Sequence, residues 1–401
     1  MERRVFLKVL AQLTAMAVCF RKMGAVASPF PSKVPLPKLG QPTPVFLAGL
    51  KRGASLQTVK SAVRAAAEAA TDFSWLSAGD TVFIKPALNS GNPYPATTSG
   101  DAVAAVIAIL KEKGAKRVIV GDMCGIEHVK LSPEGLSGSS RRLMESSGMA
   151  RAAQAAGAEI HFFEESGWDA FYEDFPSEGS HWKRGLMMPN ILKEVDHIIL
   201  MPRCARHPLA GSSLGLKAAV GYWRTDTRLE YHKDASSFQE KTAEGNTVET
   251  LRKKQRLVLS AADKILTTYG PDKGFVFQPE IGMVIASESV VAHDMVSLAW
   301  LLENRQSIPS SEKDRWKDPN SSQWMVSIGN RYVVTRLGGL GQAFQSEKLT
   351  RNDMDTIWDD RVLNHAYRLS GEIPTIVLEA ANDVLPLDLK KRLSELTTPS
   401  V

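Results

Sequence analysis

The chain has 401 residues, 43% hydrophobic and 23% charged, with 49 Lys+Arg against 44 Asp+Glu and a formal net charge of +5. This is the composition of an ordinary globular protein with enough residues for a large core, and it excludes a disordered, collagen-like or disulfide-framework chain. Three cysteines, Cys19, Cys124 and Cys204, are too few to ligate an ordinary four-iron cluster, which takes four thiolates.

In chain order, Arg3-Arg4-Val5-Phe6-Leu7-Lys8 comes first. It resembles a bacterial twin-arginine export signal, with Glu2 where such signals usually carry Ser or Thr. The apolar run Val9 to Phe20 suits a signal core and is too short to span a bilayer. Arg21-Lys22 and Ala25-Val26-Ala27 then read as a cleavage region. Residues 1–27 are therefore predicted to be a signal peptide, with the export machinery as a partner and a periplasmic or extracytoplasmic destination. Removing them leaves 44 basic against 43 acidic residues. A net charge near zero gives no global reason to bind nucleic acid or anionic lipid. No later segment is apolar enough for a stable membrane span.

Residues 28–44, rich in Pro, Ser and Lys, read as a linker. From 45 to 305 strands and helices alternate. Val45–Ala48, Thr81–Ile84, Arg117–Val120, Glu159–Phe163, His197–Met201, Lys264–Thr268 and Met283–Ala286 are predicted strands. Leu56–Ala70, a segment capped by Ser99 and stopped by Gly114, Arg141–Ala156, Pro189–Lys193, Leu214–Val220, Thr247–Ala261 and His293–Leu302 are predicted helices. Residues 306–401 read as an insertion (Ser307–Asn330, with Trp316 and Trp324) and a C-terminal α+β subdomain, with a helix near Trp358–Leu369, a strand Thr375–Leu378 and a closing helix. The pattern predicts an α/β fold with a mostly parallel sheet and helices on both faces.

Ligands of such sheets bind beyond the carboxyl ends of the strands. There the chain places Lys85 and Asn89, Asp122 and Cys124, Arg203 to His207, Tyr269-Gly270-Pro271, Ser287, Ser289 and Asp294. Lys85, Arg203, Arg206, Lys217 and Arg224, with Asn89, are candidate contacts to a small anionic ligand, since Arg offers a planar fork and Lys a point charge. A helix start at Thr97-Thr98-Ser99 would add N–H donors. His207 and His232 are candidate acid–base residues or ligands, although a lone histidine is as readily structural. Asp122 and Asp294 would orient a histidine, hold a metal or cap helices. Cys124 with His128, and Cys204 with His207, admit three readings: a divalent metal site, a Cys124–Cys204 disulfide, or two buried free thiols. Gly211 to Lys217 lacks the spacing of a phosphate loop.

At these segments the chain resembles the bacterial and archaeal family known as domain of unknown function 362. The resemblance runs from about Thr81 to Leu302, with weaker similarity around Ile357–Leu369. It is carried by Lys85-Pro86 with Asn89, Thr97-Thr98, Gly121-Asp122, Pro202-Arg203-Cys204-Ala205-Arg206-His207, Lys217 to Gly221, and Ala292-His293-Asp294. It implies an α/β fold and, in many relatives, iron–sulfur modules that this chain lacks. Ala205 and Ala218 stand where the family pattern has lysine and asparagine.

Two functions follow as expectations. One is an exported enzyme acting on a small anionic substrate or organic cofactor in a cleft at the strand ends. The other is a non-catalytic cofactor- or metal-binding or maturation protein for an exported redox system. Neither the reaction nor the cofactor is specified by these residues.

Overall fold

The computed structural model describes residues 36–268, 274–311, 323–352 and 354–399. The expected signal, residues 28–35 of the linker, Tyr269-Gly270-Pro271 and Trp316 lie outside them. The described residues from Pro37 onward fall into one compact unit. It is built on an eight-stranded sheet, whose strands are labelled here in chain order: β1 (Leu39–Lys51), β2 (Thr81–Pro86), β3 (Arg117–Asp122), β4 (Glu159–Phe162), β5 (His197–Met201), β6 (Gln255–Ala261), β7 (Ile281–Ser287) and β8 (Ile373–Ala380). Their spatial order is β8-β1-β7-β6-β5-β2-β3-β4. Every neighbouring pair is parallel except the two made by β7, which runs against β1 and β6. The α/β architecture with a mostly parallel sheet is thus as expected. In β5 every residue is buried, as a strand covered on both faces requires.

The helix Gly100–Glu112 begins where Ser99 accepts from the Ala102 N–H, and it buries Val103, Val106, Ile107 and Leu110. Four expectations are corrected. The helix predicted over 141–156 is two short helices, Ser140–Ser146 and Met149–Ala155, parted by Gly148 at φ 83°. That left-handed backbone cannot continue a right-handed helix. The helix predicted over 247–261 ends at Lys254, and the rest is β6, with Leu257, Val258 and Leu259 buried between β5 and β7. Burial at the centre of a sheet outweighs local helix propensity.

The linker ends earlier than residue 44, because β1 starts at Leu39. Its Pro42 and Pro44 are tolerated because they pair only with β8 there; pairing with β7 begins at Phe46. The tail does not stand apart either. Thr375–Leu378 extends to β8, the outermost strand of the main sheet, and Gly49 exchanges two hydrogen bonds with the Asn382 side chain. The last part of the expected insertion opens the helix Gln323–Gly338. No helix among the described residues is long and apolar enough to cross a membrane.

Candidate functional site

The ends of β2, β3 and β5 lie level: Lys85 pairs with Leu200 and Pro86 with Met201, while Ile84 pairs with Val120. This register brings Lys85 to Asp122. The Lys85 Nζ lies 2.8 Å from Asp122 Oδ1, with both side chains buried (1% and 3% exposed). Lys85 also donates to the Pro86 carbonyl at 2.8 Å and sits 5.2 Å from the Tyr222 ring centroid. Burial pushes the Lys85 ammonium down, and Asp122 opposes that by favouring its charge. Asp122 accepts in addition from the backbone N–H groups of Leu88 and Met123. Gly221 packs on this pair so closely that a Cβ would stand 2.3 Å from Asp122 Oδ1 and 2.4 Å from Lys85 Nζ.

The segment that follows Arg203 supplies the rest. Arg203 is fully buried; its Nε donates to Ser213 Oγ at 3.1 Å and one Nη to the Ala96 carbonyl. Lys217 lies in the short helix Gly215–Ala218. Asp294 starts that helix from outside, accepting from the N–H groups of Gly215 (2.8 Å) and Leu216 (2.7 Å) and from His293 Nδ1 (2.9 Å). Among the described residues, no carboxylate forms an ion pair with Lys217, and its ammonium has only the Tyr231 ring, 5.9 Å away. Burial first, and then repulsion from Arg203, Arg228 and Lys85, lowers its pKa to about 7. An amine poised there binds an oxyanion when protonated and accepts a proton when not.

Arg228 belongs to this cluster and was not singled out from the sequence. It is buried and donates to the carbonyls of Cys124 (2.6 Å), Met123 (2.8 Å) and Gly221 (3.0 Å). These carbonyls engage its two terminal nitrogens, its buried Nε has no hydrogen-bond partner among the described residues, and the positive charge stays in place.

The two histidines are held neutral with opposite tautomers. His207 Nδ1 accepts from the N–H groups of Leu209 (3.1 Å) and Ala210 (3.2 Å), so its proton is on Nε2. Burial, then Lys217, Arg203 and His232, pushes its pKa well below 6.5. It is suited to donating a hydrogen bond; the general-base role is corrected, because its ring lone pair is already occupied. His232 lies in the helix Thr225–Lys233. Asn330 Nδ2 donates to the His232 carbonyl, so Asn330 Oδ1 accepts from His232 Nδ1 at 2.8 Å and the lone pair falls on Nε2. Burial is the main cause of its pKa of about 3, with Lys217 and Arg228 adding to the fall and Asn330 opposing it.

Other sequence candidates lie elsewhere. Arg224 forks onto Asp226 (2.9 and 3.0 Å) and covers the Trp168 ring at 4.0 Å. Arg206 is buried against Met354 Sδ at 3.8 Å and favours the charged form of Asp360, a carboxylate that lines the small space beside Lys217. Asn89 is half-buried next to Gly125. The hydroxyls of Thr97, Thr98 and Ser99 are spent on protein groups; Thr98 alone links Ala87 to Met201. Cys124 and Cys204 are both buried and are not bonded to each other, which corrects the reading of a disulfide between them. They do not form a metal set with Asp122 and Asp294. Cys204 Sγ contacts the Ser297 carbonyl, and among the described residues a different trio is able to hold an ion. The enclosed space beside Lys217 and Asp294 is about 10 Å³, room for one water, so a larger ligand needs the open side of Lys217 or a local displacement.

Fold and site together define an α/β protein with a cationic, histidine-bearing cluster at the carboxyl ends of its central strands. The chain belongs to the family described as Domain of unknown function (DUF362), whose pattern matches residues 82–299. No curated protein matches it. Solved structures similar to it include a protein from Thermotoga maritima, at 13% identity and TM-score 0.36, over 54% of this chain and 53% of that one. Another is the lactate racemase apoprotein from Thermoanaerobacterium thermosaccharolyticum, at 11% identity and TM-score 0.35, over 63% of this chain and 54% of that one. The chain spans about half the length of each.

Proposed function

We propose that the chain binds a small oxyanion, a carboxylate or phosphate compound, at Lys217 and acts on it as an enzyme. The observation that carries this is an excess of fixed positive charge. Lys217 is repelled by Arg203, Arg228 and Lys85, and Lys85 by Arg228; Asp122 acts on Lys85 and Arg228 and Glu164 on Arg228, while Asp294 and Asp360 line the space beside Lys217 without an ion pair to it. A lysine ammonium such as Lys217, held in a covered site without an ion-pair partner among the described residues, is costly, and a bound anion offsets that cost. In this reading Lys217 contacts the anion and exchanges a proton near neutrality. His207 donates from Nε2, and His232 offers the Nε2 lone pair. Lys85, Asp122 and Arg228 keep the field positive without moving.

Calorimetric titration with inorganic phosphate and with small mono- and dicarboxylates tests the reading. Binding is expected to tighten below pH 7, where Lys217 carries its proton, and to fall at least tenfold in Lys217→Met. Equal affinity in the variant, or no oxyanion binding at all, overturns it. For a ligand that is turned over, His232→Ala is expected to lower kcat more than it raises KM.

We further propose that residues 1–27 direct export of the folded protein. The support is Arg3-Arg4, the apolar run Val9 to Phe20 and the small-residue segment Ala25-Val26-Ala27. Fusion of residues 1–44 to a reporter that is exported only when folded is expected to reach the periplasm. Arg3→Lys together with Arg4→Lys is expected to stop it; unchanged export in that double variant refutes the proposal.

A further inference from the structure

Away from the cationic cluster, three segments distant in sequence converge on one buried carboxylate. Glu244 ends the helix Phe238–Glu244 and is 1% exposed. His181 comes from the loop after the strand Phe171–Asp174, and His365 from the helix Arg361–Ser370. His181 Nδ1 lies 2.5 Å and His365 Nε2 2.8 Å from the same oxygen, Glu244 Oε1. The other oxygen, Oε2, accepts from the His181 backbone N–H at 3.0 Å. The rings meet edge to face with centroids 5.5 Å apart, and the three ligand atoms all lie within 4.8 Å of one another.

We propose that His181, Glu244 and His365 form a binding site for a divalent transition-metal ion of the zinc type. Two imidazole nitrogens and one carboxylate oxygen are the donor set of an open zinc site, with a fourth position left for water. Nitrogen donors favour zinc, cobalt, nickel or copper over magnesium and calcium. In a tetrahedral site with bonds of about 2.0–2.1 Å, neighbouring donors stand about 3.3 Å apart. The observed contacts open to that spacing by less than 1 Å each, through rotation of the two imidazoles.

Two further observations fit. Among the described residues Glu244 forms ion pairs with these imidazoles alone and with no Lys or Arg, although it is buried. A buried carboxylate without a permanent cation is costly, and a metal ion would supply one. The anchor is also asymmetric in the way such sites require. Glu244 is fixed inside by the His181 backbone and His365 is mostly covered, whereas the His181 ring is 45% exposed and gives an entry path. The ion would staple the 175–185 loop and the tail helix to the core. Gly245 and Asn246 follow Glu244 directly, and Asn246 Nδ2 donates to the Leu216 carbonyl, so the staple lies one segment from Lys217.

The test uses the full chain, stripped with a chelator and titrated with Zn²⁺ against a chromophoric competitor, then with Co²⁺ under a visible spectrophotometer. One equivalent of Zn²⁺ is expected at micromolar affinity or tighter, with a four- or five-coordinate Co²⁺ spectrum. His181→Ala, chosen because its ring is largely exposed and its loss leaves the core packed, is expected to weaken Zn²⁺ binding at least 30-fold. His365→Ala is expected to do the same, while Cys204→Ser leaves binding unchanged. Zn²⁺ is also expected to raise the Tm of the wild type and not that of His181→Ala. No stoichiometric binding in the wild type, or equal affinity in wild type and His181→Ala, overturns the proposal. Neither result bears on anion binding at Lys217, which phosphate titration of the same stripped protein reads separately.

Discussion

Replacing Lys217 with Met trades the proposed function for stability. The ordinary lysine value of 10.5 falls to about 7 in the fold, from burial first and then from repulsion by Arg203, Arg228 and Lys85. A fall of that size puts a penalty of at most about 5 kcal/mol on the charged form. Lys217 is not wholly covered, and solvent screening brings the figure nearer 2 kcal/mol, as an order of magnitude. The sign follows from proton binding. The unfolded chain holds this proton up to pH 10.5 and the folded chain only up to about 7. Between those values the unfolded state binds more protons, so stability rises with pH. The penalty is therefore full below pH 7 and gone above 10.5. Methionine keeps the apolar stem and drops the charge. Urea denaturation at pH 6, 8 and 10 is expected to find the variant more stable by roughly 2 kcal/mol at pH 6, with the gain shrinking toward pH 10. A variant less stable than wild type at pH 6, or a difference that does not change with pH, refutes the reasoning.

Other substitutions probe the supports of the site. Asp122→Asn strands the Lys85 ammonium in the core and is expected to cost roughly 3–5 kcal/mol in urea denaturation; a loss below 1 kcal/mol would mean the pair is not what holds these strand ends. Gly221→Ala drives a methyl group against Asp122 and Lys85 and is expected to cost about 1–3 kcal/mol; an unchanged Tm would mean the 219–222 turn yields freely. Asp294→Ala removes the acceptor of the Gly215 and Leu216 N–H groups, with an expected loss of about 1–3 kcal/mol. Because that helix carries Lys217, calorimetry is also expected to show weaker phosphate binding, and undiminished affinity would separate Asp294 from the site.

The sheet was legible where one residue pattern dominates. β2, β3 and β5 are short apolar runs ending in Lys85, Asp122 and Pro202-Arg203, so the carboxyl-end cluster could be read from the sequence. β6 was not legible, because Gln255–Ala261 follows helix-forming Glu249–Lys254 without a break, and only its neighbours in the sheet make it a strand. Residues that act through tertiary contacts left no local signal. Arg228 lies in a polar stretch with no motif, and its role comes from three backbone carbonyls that fold against it. The tautomers of His207 and His232 are set by Ala210 and Asn330, the latter far along the chain. His181, Glu244 and His365 are too widely spaced for any metal-ligand pattern to register. Arg224 and Arg206 show the converse: charge near a strand end promised a contact, and Asp226 and Met354 claimed them.

The central claim is that the space beside Lys217 takes an oxyanion, and the most direct measurement is where a heavy oxyanion binds. Crystals soaked in tungstate and measured at a tungsten absorption edge are expected to show an anomalous peak within hydrogen-bond reach of Lys217 Nζ and none there in Lys217→Met. Tungstate found only on exposed surface lysines, or at the same place in both proteins, contradicts the account.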